Sequence, residues 1–180
     1  MNKTYTIAFG GLATGVHHFD FKVDDALFEE FEGSGIKGGD ADVAVELTRG
    51  ASMLDVQIRI TGNVVAECDR CLEDCTLPVG YRGRLTVRFS EEPQEDDGDV
   101  MWLNPSDTEL DLARYIYESI VLSLPYQRVH PSDVHGNPLC NPAMLERFRI
   151  VSEQEFDAIA SRSGNDERWK GLEELKKNMD

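Results

Sequence analysis

Two stretches in which apolar and polar residues alternate, 53–66 and 76–89, flank Cys68-Asp69-Arg70-Cys71-Leu72-Glu73-Asp74-Cys75, and together they dictate a long β-hairpin with cysteines at its tip. Successive side chains of a strand point to opposite faces, so Leu54, Val56, Ile58, Ile60, Val64 and Ala66 share a face with Cys68. Asp55, Gln57, Arg59 and Thr61 take the other. The return strand puts Tyr81, Leu85, Val87 and Phe89 on one side and Arg82, Arg84, Thr86 and Arg88 on the opposite one. One face of the hairpin is therefore core, and the other carries a basic stripe.

Around this hairpin the chain divides into a β-rich front and a helical back. Thr4 to Phe9 and Val16 to Phe21 read as a first strand pair about Gly10-Gly11, followed by a short helix from Asp24 that uses Leu27, Phe28 and Phe31. Gly33, Gly35, Gly38 and Gly39 read as a flexible connection to a strand carrying Ala41, Val43, Val45 and Leu47. The segment 91–99, acidic with Pro93 and Gly98, cannot bury a face and is expected to be a mobile loop. Ser106 with Glu109 has the spacing of a capping box for a helix running to about Ser123, with Leu112, Ile116, Ser119, Ile120 and Leu122 inward and Glu118 beside that stripe. Ser152 with Glu155, stapled by Val151 and Phe156, starts a helix to about Arg162, and 166–177 a tail helix with Trp169, Leu172 and Leu175 on one side. The expected fold is α+β: a single domain over 1–180 with a curved antiparallel sheet, a meander or barrel-like, and C-terminal helices packed against it.

The formal charge of −16, from 18 basic and 34 acidic residues, opposes the counterion displacement on which nucleic-acid affinity rests. Autonomous RNA binding is thus disfavoured, and a basic protein is the natural complement. The N-terminal apolar run Tyr5 to Phe9 is far too short for a signal or a membrane span, so a cytoplasmic address with reduced thiols is expected.

Cys68 and Cys71 have the C-x-x-C spacing that supplies two of the four ligands of a zinc ion. Cys75, His130, His135 and Cys140 are the available completions, and the set taken as the metal candidate is Cys68, Cys71, Cys140 and His135. One C-x-x-C is half a site, so two reduced thiols packed under the hairpin with Leu72 are the preferred reading and zinc the alternative. Glu67, Asp69, Glu73 and Asp74 crowd the tip with Arg70 as the nearby cation, a field that raises thiol pKa values. A dithiol oxidoreductase needs the opposite field. A thiol redox protein using Cys68 and Cys71 and a zinc-stapled adaptor remain the rival readings. No spacing of Ser, His and Asp points to a hydrolase.

Taken in order, Cys68-Asp69-Arg70-Cys71-Leu72 after a long strand, Asp111 and Glu118, Leu122-Ser123-Leu124-Pro125, and Arg168-Trp169 with Leu172 and Leu175 resemble the YceD family. The resemblance implies a non-enzymatic bacterial and plastid protein needed for large-subunit ribosomal RNA to accumulate. It places the family signature on Cys68, Arg70, Cys71 and Leu72, with Glu118, Leu124 and Pro125 as secondary matches; His130 and Cys140 resemble the His/Cys segment of some members. Other members carry further cysteines after the Leu-Pro step, where this chain has Cys140. The expected mode of action is binding: Arg70, Leu72, Arg82, Arg84 and Arg88 contact a ribosomal precursor particle or a basic ribosomal protein, with direct RNA contact left open. Neither a membrane nor a small-molecule substrate is expected.

Overall fold

The computed structural model of the chain describes residues 3–31, 33–92, 94–95, 97–147 and 153–163. The backbone groups into two compact units, Met1–Cys140 and Asn141–Asp180. The first contains β1 (Thr6–Ala8), β2 (Gly15–Val23), α1 (Asp25–Glu30), β3 (Ile36–Arg49), β4 (Met53–Glu67), β5 (Asp74–Phe89), β6 (Val100–Leu103), β7 (Glu109–Asp111) and α2 (Ala113–Ser123). Strands β2 to β6 form a five-stranded sheet in chain order. Its pairs are antiparallel except that β6 runs parallel to β5, a departure from a pure meander. The fold is α+β, and the sheet is open, with β2 and β6 as its edges.

The period-two pattern builds this sheet as anticipated. Leu54, Val56, Ile58, Ile60, Val64, Ala66 and Cys68 are all buried, as are Leu77, Val79, Leu85 and Val87 on β5 and Val43, Val45 and Leu47 on β3. Each such side chain withdrawn from water contributes about 1.5–3 kcal/mol before the entropy of ordering is subtracted. α1 lies on β3 and α2 on β5, so the buried face is covered by Leu27 and Phe28 from one helix and Ile116 and Ile120 from the other. Phe31 stacks on Tyr117 with ring centroids 4.7 Å apart, joining the two helices. Among the described residues no helix is long and apolar enough to cross a membrane.

Several local expectations are overturned by tertiary pairing. β1 does not pair with β2; it pairs with β7, Ile7 opposite Leu110, while β2 pairs with β3 along its whole length. The helix expected from 107 begins at Ala113, because Leu110 and Leu112 are fully buried and Glu109–Asp111 serves as the strand that meets β1. Ser106 caps nothing: its N–H and hydroxyl both donate to Asn104 Oδ1, and Asp111 Oδ1 instead accepts from Ala113 N. Leu122, expected inward, is exposed, and Glu118 pairs with Arg114 on the helix surface. Gly38 and Gly39 belong to β3, at a register slip, and are needed there for close approach. A Cβ on Gly38 would fall 2.3 Å from Asp25 Oδ1, and Gly39 N–H donates to that oxygen at 2.8 Å. The glycines thus seat the start of α1 on the strand.

The second unit contains α3 (Pro142–Leu145), with Asn141 Oδ1 accepting from Ala143 N and proline in the first turn, and α4 (Glu153–Ser163). The Val151 and Ser152 capping signals and the tail helix at 166–177 lie outside the described residues.

Candidate metal centre

The β4–β5 ladder pairs down to Glu67 opposite Asp74, and Cys68 N–H closes it on Glu73 O at 2.8 Å. Leu72 N–H then returns to Cys68 O at 2.9 Å, a single i to i+4 turn. This compact turn places Cys71 behind Cys68, the two being 1 % and 0 % exposed, and leaves Leu72 at φ 62° with 55 % of its surface open. A leucine in the left-handed region costs about 1–2 kcal/mol relative to an ordinary conformation. The sequence supplies no glycine at this position; it displays an apolar side chain at the apex.

A second segment is latched beneath the tip. Pro125 holds Leu124 extended and ends α2. The chain then runs to Arg128, whose N–H donates to Asp69 Oδ2 and whose carbonyl accepts from Asp69 N–H, both at 2.7 Å. Two residues later His130 reaches the thiols. A small loop closed by the Ser132–Pro138 bridge and by Leu139 N–H to Pro131 O brings buried Cys140 back beside them. One ligand atom from each of Cys68, Cys71, His130 and Cys140 lies within 4.8 Å of all the others.

These four lie close enough to hold a metal ion, and their chemistry fits one. Cys68 and Cys140 sulfurs are 3.9 Å apart, and Cys71 Sγ is 3.4 Å from His130 Nδ1. Zinc bonds of about 2.3 Å to sulfur and about 2.0 Å to nitrogen give tetrahedral edges of roughly 3.8 and 3.5 Å. The other ring nitrogen, Nε2, is 3.2 Å from Asp74 O. Donation of Nε2–H to that carbonyl leaves Nδ1 as the free base facing the thiols, the outer-shell arrangement typical of a metal-binding imidazole. Three thiols and one histidine would make a closed, structural site with no open position for a substrate.

The electrostatics differ from thiol to thiol. Burial pushes the Cys68 thiol up, but the backbone N–H groups of Cys71, Arg70 and His130, with the His130 ring, bring it down to about 6. Burial raises Cys75 and Cys140, and neighbouring Cys68 raises both further. The acidic field foreseen for the tip therefore does not govern Cys68; converging backbone dipoles do.

Of the metal set read from sequence, the structure brings together Cys68, Cys71 and Cys140 and adds His130. His135 is exposed in the loop held by Asp133, whose carboxylate accepts from His135 N and Asn137 N. Cys75 is buried opposite Ala66 and lies outside the four-ligand group. Arg70 is exposed at the tip. In the basic stripe, Arg84 is committed to Asp55, and Arg88 lies over the Trp102 ring at 5.9 Å. Arg82 faces Arg59 directly across the ladder. The Asp69–Arg128 latch and the Arg59 neighbour of Arg82 carried no spacing signal, since both depend on register or on residues far apart in sequence.

A family model described as "Large ribosomal RNA subunit accumulation protein YceD" matches residues 56–176, about two thirds of the 180-residue chain. No curated protein and no solved structure gives a match. The matched span takes in most of β4, the cysteine tip and the latched segment with His130 and Cys140, and on that match the chain belongs to the YceD family.

Proposed function

We propose that the protein supports accumulation of large-subunit ribosomal RNA in the cytoplasm by binding a ribosomal precursor particle through one of its basic proteins, and that it catalyses no reaction. The tip is the docking element. Leu72 supports this reading most directly: an apolar side chain held open at φ 62° over two fully buried cysteines. Glu67, Asp69, Glu73 and Asp74 flank it in sequence, with Lys37 paired to Glu67 and Asp74, and the chain carries −16 overall, so a basic surface complements its field. Zinc on Cys68, Cys71, His130 and Cys140 would fix the turn and tie it to the latched segment; bound there, the ion supplies rigidity. Arg70, beside Leu72, belongs to the same contact, and Arg82, Arg84 and Arg88 form a second contact to the precursor particle on the exposed face of the sheet.

The test is complementation. In cells depleted of the protein, the ratio of large- to small-subunit ribosomal RNA is expected to fall, the parent gene to restore it, and Leu72→Asp to fail at equal protein level. Full restoration by Leu72→Asp would remove the tip from the mechanism. A redox reading draws on the lowered Cys68 pKa of about 6, a value suited to a reactive thiol. Against it, all four cysteines are buried, and a stabilised thiolate is equally what a metal requires. Disulfide turnover abolished by Cys68→Ser would establish the redox reading instead.

A further inference from the structure

The exposed face of the sheet contains a charge arrangement that the chain's own acids leave unanswered. Arg59 on β4 and Arg82 on β5 are directly opposite each other in the ladder and exposed, and neither has an ion pair or hydrogen bond among the described residues. Directly opposed side chains stand about 5 Å apart, and like charges so placed are destabilising. Elsewhere on this face the cations have partners: Lys22 has Asp42, Arg84 has Asp55, and His18 lies 3.8 Å from Glu46. In register with the arginine pair, Ala44 and Asp20 extend the same row across β3 and β2. The short Ala44 side chain leaves a depression of about 310 Å³, lined by Arg59, Arg82, Gln57, Glu46, His18 and Asp20.

We infer that this depression binds one nucleotide of single-stranded RNA, its phosphodiester between Arg59 and Arg82 and its nucleoside across Ala44 toward Asp20. Two guanidinium forks converging on one tetrahedral oxyanion give charge-assisted, geometrically matched hydrogen bonds. Asp20 stands two strands from Arg59, about 10 Å, and accepts from an exocyclic amine or a ribose hydroxyl. A nucleotide has a single charge at one end and donors at the other, which matches cations at one end of the row and a carboxylate at the other. An acidic peptide would set its carboxylates against Asp20 and Glu46, and a basic one would meet two unanswered guanidinium groups. The inference rests on the ribosomal reading for the source of the RNA, and it adds a direct RNA contact on a different surface from the tip, where two unpaired guanidinium groups locally outweigh the net charge of −16 that disfavours RNA binding by the chain as a whole.

Fluorescence anisotropy of the full chain with a labelled 12-nucleotide single-stranded RNA, titrated at several KCl concentrations from 50 mM, tests it. Arg59→Gln/Arg82→Gln is expected to bind about tenfold more weakly at 50 mM and to lower the slope of log affinity against log salt by about 0.7, one phosphate contact. The double variant is expected to melt no lower than the parent, because a like-charge pair has been removed; Arg82→Gln alone, which keeps Arg59, should weaken binding in the same direction. Equal affinity and slope for parent and double variant would overturn the inference. So would poly-glutamate binding with the same dependence on Arg59 and Arg82, or a parent that binds no RNA at 50 mM. None of these outcomes touches the complementation result for Leu72, so the two readings fail separately.

Discussion

Replacing Cys140 by serine tests how much of the fold depends on the proposed metal staple. An ion shared by Cys71 and Cys140 closes a loop of about 70 residues, and in the chain-entropy treatment of a cross-link such a loop is worth roughly 4 kcal/mol at 25 °C. For a domain of this size 1 kcal/mol moves the melting temperature by about 2–4 °C, so the loss corresponds to roughly 10 °C. The assay is thermal unfolding followed by circular dichroism on the full chain, with one equivalent of zinc and with excess chelator. Cys140→Ser, left with three ligands and expected to release the ion at one equivalent of zinc, should melt about 10 °C below the zinc-loaded parent, and chelator should bring the parent to the same point. Cys75→Ala, which removes a buried thiol outside the ligand group, should leave the chelator-induced shift intact. If chelator moves the parent by less than about 2 °C, the staple contributes nothing of the size argued.

Ile60→Ala, at a fully buried position in the middle of β4, should cost about 2–5 kcal/mol in urea denaturation, and a loss under about 1 kcal/mol would contradict its place in the core. Leu72→Asp should leave that stability within about 0.5 kcal/mol of the parent, so that its expected failure in complementation reports contact and not folding. Asp69→Ala removes the acceptor that holds Arg128 N and should lower zinc affinity about tenfold by competition with a chelating dye; unchanged affinity would separate the latch from the site.

The sheet was legible because a half-buried strand writes its own period. Leu54 to Cys68 alternate in sequence and are buried in alternation, and the partner of β4 is fixed by the short connection through the tip. Pairing between distant segments was not legible. Glu109–Asp111 carries a local helix signal after Ser106, yet Leu110 gains a fully buried place by meeting Ile7 across about a hundred residues. Local capping is worth about 1 kcal/mol, less than the burial of one leucine, so the tertiary choice prevails. The same asymmetry runs through the site. Cys68 and Cys71 announce themselves by spacing, and Cys140 stands out as the last cysteine. The choice between His130 and His135 is made by Asp69 gripping Arg128 and by Asp133 holding the neighbouring loop, and neither grip leaves a periodic trace.

Zinc content per chain, measured by elemental analysis on purified parent and histidine variants, tests the central claim that four side chains far apart in sequence jointly fix the tip. The account predicts one zinc per parent chain, retained in His135→Ala and lost or sharply reduced in His130→Ala. A metal-free parent purified without chelator, or zinc lost with His135 and kept without His130, would contradict it.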